Sequence, residues 1–260
     1  MLNSSFNALN YFILFTVLYY SSGLIIKSFI LLFSDVRTKK QFSFYFLSPF
    51  YSNKLWNLAI LHKSCSKIVN KDTVQKIGSI GSLYLLFCFL YLKTDLKQYC
   101  YSLLAFFLFY SFTELMSILF GIIYSKFRIF LPTVHNNPFR AKNLSDFWGN
   151  RWNIWVSTWL SQIVFKPLKR NPKLAVMTTF IVSGLWHEVI INIPHLILTG
   201  EKVFGFVTLY FIIQGLGVLI SRRGFFRNRY MLSVIYLWIV VILPIPLIMN
   251  DAFMNIFVLR

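Results

Sequence analysis

Two short runs hold the polar groups that a mostly apolar chain has least reason to keep. In TFIVSGLWHEVI, residues 179–190, His187 and Glu188 stand side by side. An ionisable residue inside an apolar span is costly and marks a candidate for function. Imidazole is the side chain best matched to take a proton near neutral pH, so the chemistry on offer is general-base catalysis. A histidine hydrogen-bonded across packed helices fits the same position. Glu188 projects about 100° around the helix from His187 and need not touch it. It faces a basic residue of another span or stays protonated. The second run is SDFWGNRWNIWVSTWL, residues 145–160. Trp148, Trp152, Trp155 and Trp159 recur at i, i+4, i+7 and i+11, which is one face of a helix. Arg151 and Asn153 lie inside that apolar frame. A buried asparagine needs hydrogen-bond partners. Asn153 either satisfies nearby backbone or aims its amide into a cavity.

No second catalytic constellation competes. The chain has no GxSxG, HExxH or HxxxxD. His62 and His135 fall in loops, and His195 follows Pro194 near a span end and reads as interfacial. Glu114 stands alone in an apolar run, as a partner for a buried donor or as a pathway residue. Cys65, Cys88 and Cys100 form no CxxC pair and no metal spacing, so no metal is expected.

The elements that position these residues are membrane spans. Hydrophobic residues make up 57% of the 260 and charged residues 13%, and several apolar runs reach the roughly 20 residues a spanning helix needs. The fold class is all-α and polytopic, one domain over 1–260. About six transmembrane helices are expected, near 11–33, 77–92, 99–124, 174–198, 203–220 and 230–249, with interfacial or re-entrant helices besides. The aromatic segment Phe42–Tyr51 is too short to span and reads as interfacial. Residues 145–165 read as an amphipathic interfacial helix capped by Ser145 or Asp146 and ended by Pro167. The first apolar run reads as a retained span rather than a cleaved signal.

The net charge of +18 suggests nucleic acid only for a soluble protein. Here the basic residues fall between apolar runs. The segments 34–76, 126–173 and 222–229 hold 21 of them, against 4 on the opposite side. The positive-inside tendency then places the basic loops in the cytosol and both termini outside. No nucleic-acid motif is present, and the expected partners are membrane lipids.

FWGNRWN at 147–153 with SGLWHE at 183–188 resembles the membrane-bound O-acyltransferase superfamily, most closely its wax-synthase-like branch. That branch shows an FWxxRWN element, a proline after the amphipathic helix, and a serine–apolar–His–Glu element. STWLSQIVFKPL, 157–168, also resembles the branch that O-acetylates bacterial polysaccharides. That branch usually has histidine at the position of Asn153 and glycine at that of Glu188, which favours the lipid branch. The resemblance covers residues 145–190, and the chain is shorter than typical members.

The resemblance implies acyl transfer from acyl-CoA to a lipid alcohol, forming a neutral ester, with no tightly bound cofactor. His187 would be the general base, and Asn153 would orient or polarise the reacting group. Trp148, Arg151, Trp152, Ser183 and Glu188 would contribute to substrate binding, Glu188 from the periphery. The phosphates of coenzyme A would meet the basic stretch around Arg151, Lys166, Lys169, Arg170 and Lys173. The other readings are an O-acetyltransferase of a glycan or small metabolite, and a transporter using His187, Glu188 and Glu114. The membrane would be the endoplasmic reticulum in a eukaryote or the inner membrane in a bacterium.

Overall fold

A computed structural model describes residues 2–32, 71–93, 98–127, 129, 131–226 and 229–257. The described elements are helical. They are α1 (Leu2–Leu32), α2 (Lys71–Lys93), α3 (Gln98–Ser125), α4 (Ile154–Leu160), α5 (Pro172–Thr199), α6 (Phe206–Ser221), α7 (Tyr230–Ile242) and α8 (Asp251–Phe257), joined by shorter turns. The segment Phe42–Tyr51 lies outside the described residues.

Four stretches are long and apolar enough to cross a bilayer: Leu9–Ser28, Tyr99–Ser125, Pro172–Thr199 and Tyr230–Ile248. The other two expected spans are shorter apolar helices, Gln75–Leu90 and Phe206–Ser221. At 1.5 Å per residue, 16 residues reach roughly 24 Å, short of a hydrocarbon core of about 30 Å. Pro244 and Pro246 break the last span, and a further short helix follows it. Hydropathy around Asp251 does not reveal α8, yet Ala252, Phe253, Met254 and Ile256 are all buried there.

α5 is the central element. Asn171 caps its start by accepting from the Leu174 N–H, with Pro172 in the first turn. Gly200 ends it in the left-handed region, φ 75°, where a side chain would be strained. It packs against α6 so closely that a Cβ on Gly184 would meet the Thr208 backbone at 2.8 Å. Small residues permit such approach between membrane helices. α1 and α8 pack on the same helix, and Ile190 and Ile191 share a core with Phe106 of α3 and with Met249 and Phe253.

The expected continuous tryptophan helix over 145–165 is not formed. Leu144–Asp146 make one helical turn, capped by the Asn143 side chain rather than by Ser145 or Asp146. Phe147–Arg151 wind as a π-helical turn. Trp152 is then extended, and Asn153 is left-handed at φ 39°, ψ 66°. α4 starts afresh at Ile154 and ends in a second π turn, Ser161–Phe165. The four tryptophans therefore do not share one face. His195, expected at the interface, is 2% exposed, with its Nδ1 3.2 Å from the Tyr11 hydroxyl and its Nε2 3.4 Å from Glu201.

Candidate active site

The break at Asn153 is built by a partner strand of chain. Residues 132–136 run antiparallel to 151–155. The Asn136 N–H donates to the Arg151 carbonyl at 2.8 Å, and the Ile154 N–H donates to the Val134 carbonyl at 2.8 Å. The Trp155 indole N–H donates to the Pro132 carbonyl at 3.0 Å. Between these bonds the Asn153 N–H donates to Nδ1 of His135 at 3.1 Å. Asparagine is among the residues that tolerate a left-handed backbone. Its side chain then caps α4, Oδ1 accepting from the Val156 N–H at 3.2 Å. The cap assigns the amide orientation, because only oxygen accepts.

His187 is held just as specifically. Nδ1 lies 2.7 Å from the Ser183 carbonyl, one turn earlier on α5. A carbonyl only accepts, so Nδ1 carries the proton and Nε2 keeps its lone pair in the neutral ring. Trp186 and Phe211 flank the imidazole, with ring centroids 4.9 and 4.6 Å away.

Asn153 and His187 line one cavity of about 340 Å³, together with Trp148, Trp152 and Ser183. It follows α5 from Val176 to Ile191, roughly 22 Å at the helical rise. One end is edged by Ser145, Ser161 and Arg222. The other is apolar, edged by Phe15, Phe109, Ile191, Met249 and Phe253. Trp148 is fixed by its indole N–H on Gln214 at 3.2 Å. Trp152 stacks on Phe106 and Phe147, at 5.2 and 5.5 Å between centroids. Both indoles are thus rigid walls.

Two residues grouped with the site lie away from it. Arg151 is not on the cavity lining. Its Nε donates to Asp146 at 2.6 Å, and Nη1 reaches the carbonyls of Asn136 and Asn137. Burial raises the Asp146 pKa, but the hydrogen bonds from Arg151, the Lys142 N–H and Asn150 outweigh it and hold the carboxyl below its usual range. Among the described residues Glu188 pairs with no basic residue, and it is not on the cavity lining. Its Oε1 accepts from the Gly205 and Thr208 N–H groups, both at 2.9 Å, and Oε2 from the Asn192 amide. These are unpaired donors at the start of α6, where the helix dipole also favours negative charge. Glu188 is a cap supplied by another helix.

Glu114 joins the site's support, its carboxyl reaching the His135 backbone N–H from α3. Sequence reasoning passed over His135 and Arg222. A loop histidine carries no local pattern, and only tertiary contact with Asn153 reveals His135. Among the described residues no group of three or more His, Cys, Asp or Glu gathers to hold a metal. Lys166, Lys169 and Arg170 are exposed between α4 and α5, and Lys173 is exposed in the first turn of α5. Arg222 lies 3.4 Å from Ser145, which brings the second and third basic loops to one end of the molecule.

Similarity to known proteins agrees with this architecture. A long-chain-alcohol O-fatty-acyltransferase of Simmondsia chinensis is 31% identical over 134 residues, 47% of this chain and 37% of the relative. The probable long-chain-alcohol O-fatty-acyltransferase 9 of Arabidopsis thaliana is 32% identical over 107 residues, 36% of this chain and 30% of the relative. The probable long-chain-alcohol O-fatty-acyltransferase 6 of the same plant is 36% identical over 88 residues, 31% of this chain and 24% of the relative. The matched stretch thus spans 24–37% of these relatives' length. The sequence profile of the membrane-bound O-acyltransferase family matches residues 32–250, so the chain that builds this Asn–His cavity belongs to that family.

Proposed function

We propose that this protein transfers a fatty acyl group from acyl-CoA to the hydroxyl of a long-chain alcohol or similar lipid alcohol. One observation carries the reading: Asn153 and His187 line the same elongated, mainly apolar cavity, and Nε2 of His187 is left as a base. The cavity volume falls within the range of small-ligand sites. Its apolar walls favour hydrocarbon chains over a glycan. The names of the similar plant proteins point to the same substrate class.

The mechanism follows from the two side chains. The donor enters at the end edged by Ser145, Ser161 and Arg222, with exposed Lys166, Lys169, Arg170 and Lys173 nearby for its phosphates. Its thioester reaches the level of His187. Nε2 of His187 takes the proton of the alcohol as its oxygen attacks the thioester carbonyl. Oδ1 of Asn153 is committed to the helix cap, so the Nδ2–H₂ group is the one that donates to the developing oxyanion. Collapse of the tetrahedral adduct breaks the C–S bond. The thiolate receives the proton from His187, and ester and free coenzyme A result. Trp148 and Trp152 keep the reacting groups aligned between rigid walls.

A transporter reading has less support. It needs Glu114 and Glu188 along a path, yet both carboxyls are engaged with backbone N–H groups. The decisive experiment supplies labelled acyl-CoA and a panel of alcohols to membranes that hold the protein and lack neutral-lipid synthesis. Labelled ester is expected from the wild type and none above background from His187→Ala. Equal ester from both proteins overturns the mechanism.

A further inference from the structure

We propose that His135 is a positioning residue for the reaction: it holds Asn153 in the left-handed turn from which the asparagine faces the cavity. The inference rests on the acyltransfer reading. Asn153 sits at φ 39°, a conformation that costs free energy for any residue with a Cβ and persists only where its surroundings impose it. The bond from its own N–H to Nδ1 of His135, 3.1 Å, acts at the strained residue itself and comes from outside α4, whereas its Oδ1 and carbonyl accept from the Val156 and Ser157 N–H groups of that helix. The backbone bonds to 132–136 act two residues before it, at Arg151, and one residue after, at Ile154.

His135 is equipped for this and for little else. It is 4% exposed and does not line the cavity, so it does not meet substrate. Since Nδ1 accepts, the neutral ring carries its proton on Nε2, 3.1 Å from Oγ1 of Thr113. That hydroxyl in turn donates to the Phe109 carbonyl at 2.9 Å. One face of the ring lies 4.4 Å, centroid to centroid, from Trp152, the cavity wall that precedes Asn153. The imidazole thus ties the turn to α3, the helix that also supplies Phe106 behind Trp152. Burial takes the imidazole down to about 3, so the ring stays an acceptor across ordinary pH.

Two substitutions separate the hydrogen bond from packing. His135→Phe keeps a ring beside Trp152 but offers no acceptor. His135→Asn loses ring volume but places an amide oxygen where Nδ1 lies. The full-length protein is assayed for ester formation beside wild type and His187→Ala, and exchange of the Asn153 amide is followed by mass spectrometry. His135→Phe is expected to lower kcat about 100-fold, the cost of misplacing a catalytic group by about an ångström. KM for donor and alcohol stays within about twofold, and the Asn153 amide loses protection. His135→Asn is expected to recover at least about tenfold of that kcat and most of the protection. A residue that only stabilised the fold would lower the yield of folded protein in both variants and show no rescue. Full turnover in His135→Phe, or no recovery in His135→Asn, overturns the positioning role while the wild type still makes ester. No ester from the wild type overturns the acyltransfer reading, and the role of His135 in it.

Discussion

The two halves of the site reach it by opposite means. α5 is a regular helix, and it presents His187 by keeping its period. Nδ1 is satisfied one turn back at Ser183, and Glu188, next in sequence, points to another helix. The 144–165 segment presents Asn153 by losing its period, through a π turn, an extended Trp152 and a left-handed asparagine. For the proposed base a regular helix holds the lone pair at a fixed place, and for the proposed oxyanion donor the chain break leaves Oδ1 on the cap and Nδ2 free to donate. The difference also sets how each half fails. α5 keeps its shape through its own backbone bonds, whereas the broken segment depends on bonds from 132–136 to stay broken.

The largest effect expected is on the regular half. His187→Ala removes the proposed base and is expected to lower ester formation by about 10²–10⁴-fold, measured with labelled acyl-CoA. The melting temperature in detergent stays close to wild type, because the lost bond is one carbonyl contact on the same helix.

The broken half gives a two-part response. Asn153→Asp keeps an oxygen for the Val156 cap and tolerates the left-handed turn, but loses the donor. It is expected to lower kcat about 10²-fold with little change in thermal stability. Asn153→Ala loses donor and cap together, adding about 1 kcal/mol of destabilisation to the same kinetic loss. If aspartate retained full activity, donation by Asn153 would be ruled out and only its cap would remain.

Glu188 sharpens the contrast within α5. Glu188→Ala leaves the Gly205 and Thr208 N–H groups without their acceptor and costs about 1–3 kcal/mol per orphaned group. A lower unfolding midpoint is expected, with the remaining folded protein turning over at the wild-type rate. A kinetic loss in protein of unchanged stability would return Glu188 to the site.

The smallest effect concerns Asp146 and Arg151. A carboxyl whose folded pKa is depressed contributes stability that is full above its unfolded value, about 3.9, and is lost as pH falls through the folded value. The contribution of this carboxyl to wild-type melting is therefore constant around neutrality and declines in the acid range below about pH 4. Asp146→Asn removes that group's share of the decline. The partners are near the surface, so the change at neutral pH is within about 1 kcal/mol.

Much of this was legible in the residues. Apolar runs of sufficient length place the long helices, and the span expected near 174–198 lies within α5, Pro172–Thr199. A histidine in such a run is conspicuous because the membrane makes it costly. The tryptophan spacing was misleading, since a period of 3.6 describes a helix only if the backbone stays helical. Asn153 tolerates a left-handed turn, but nothing local requires one. Bonds from 132–136, a segment some twenty residues earlier, impose it. Glu188 was misplaced for a related reason. Its partners are backbone N–H groups created by the start of α6, which no side-chain pattern announces.

The sequence by itself determined an all-helical membrane chain and made His187 conspicuous; these follow from composition, from length against bilayer thickness, and from the cost of polar groups among apolar ones. The pairing of the asparagine run with the histidine run came from the family resemblance those runs carry. Tertiary structure alone decided that Asn153 and His187 face one cavity, which nitrogen of His187 is free, and that Glu188 and Arg151 are engaged elsewhere. Each of these is settled by hydrogen-bond partners from other elements, and a partner's position in space is not written in spacing along the chain.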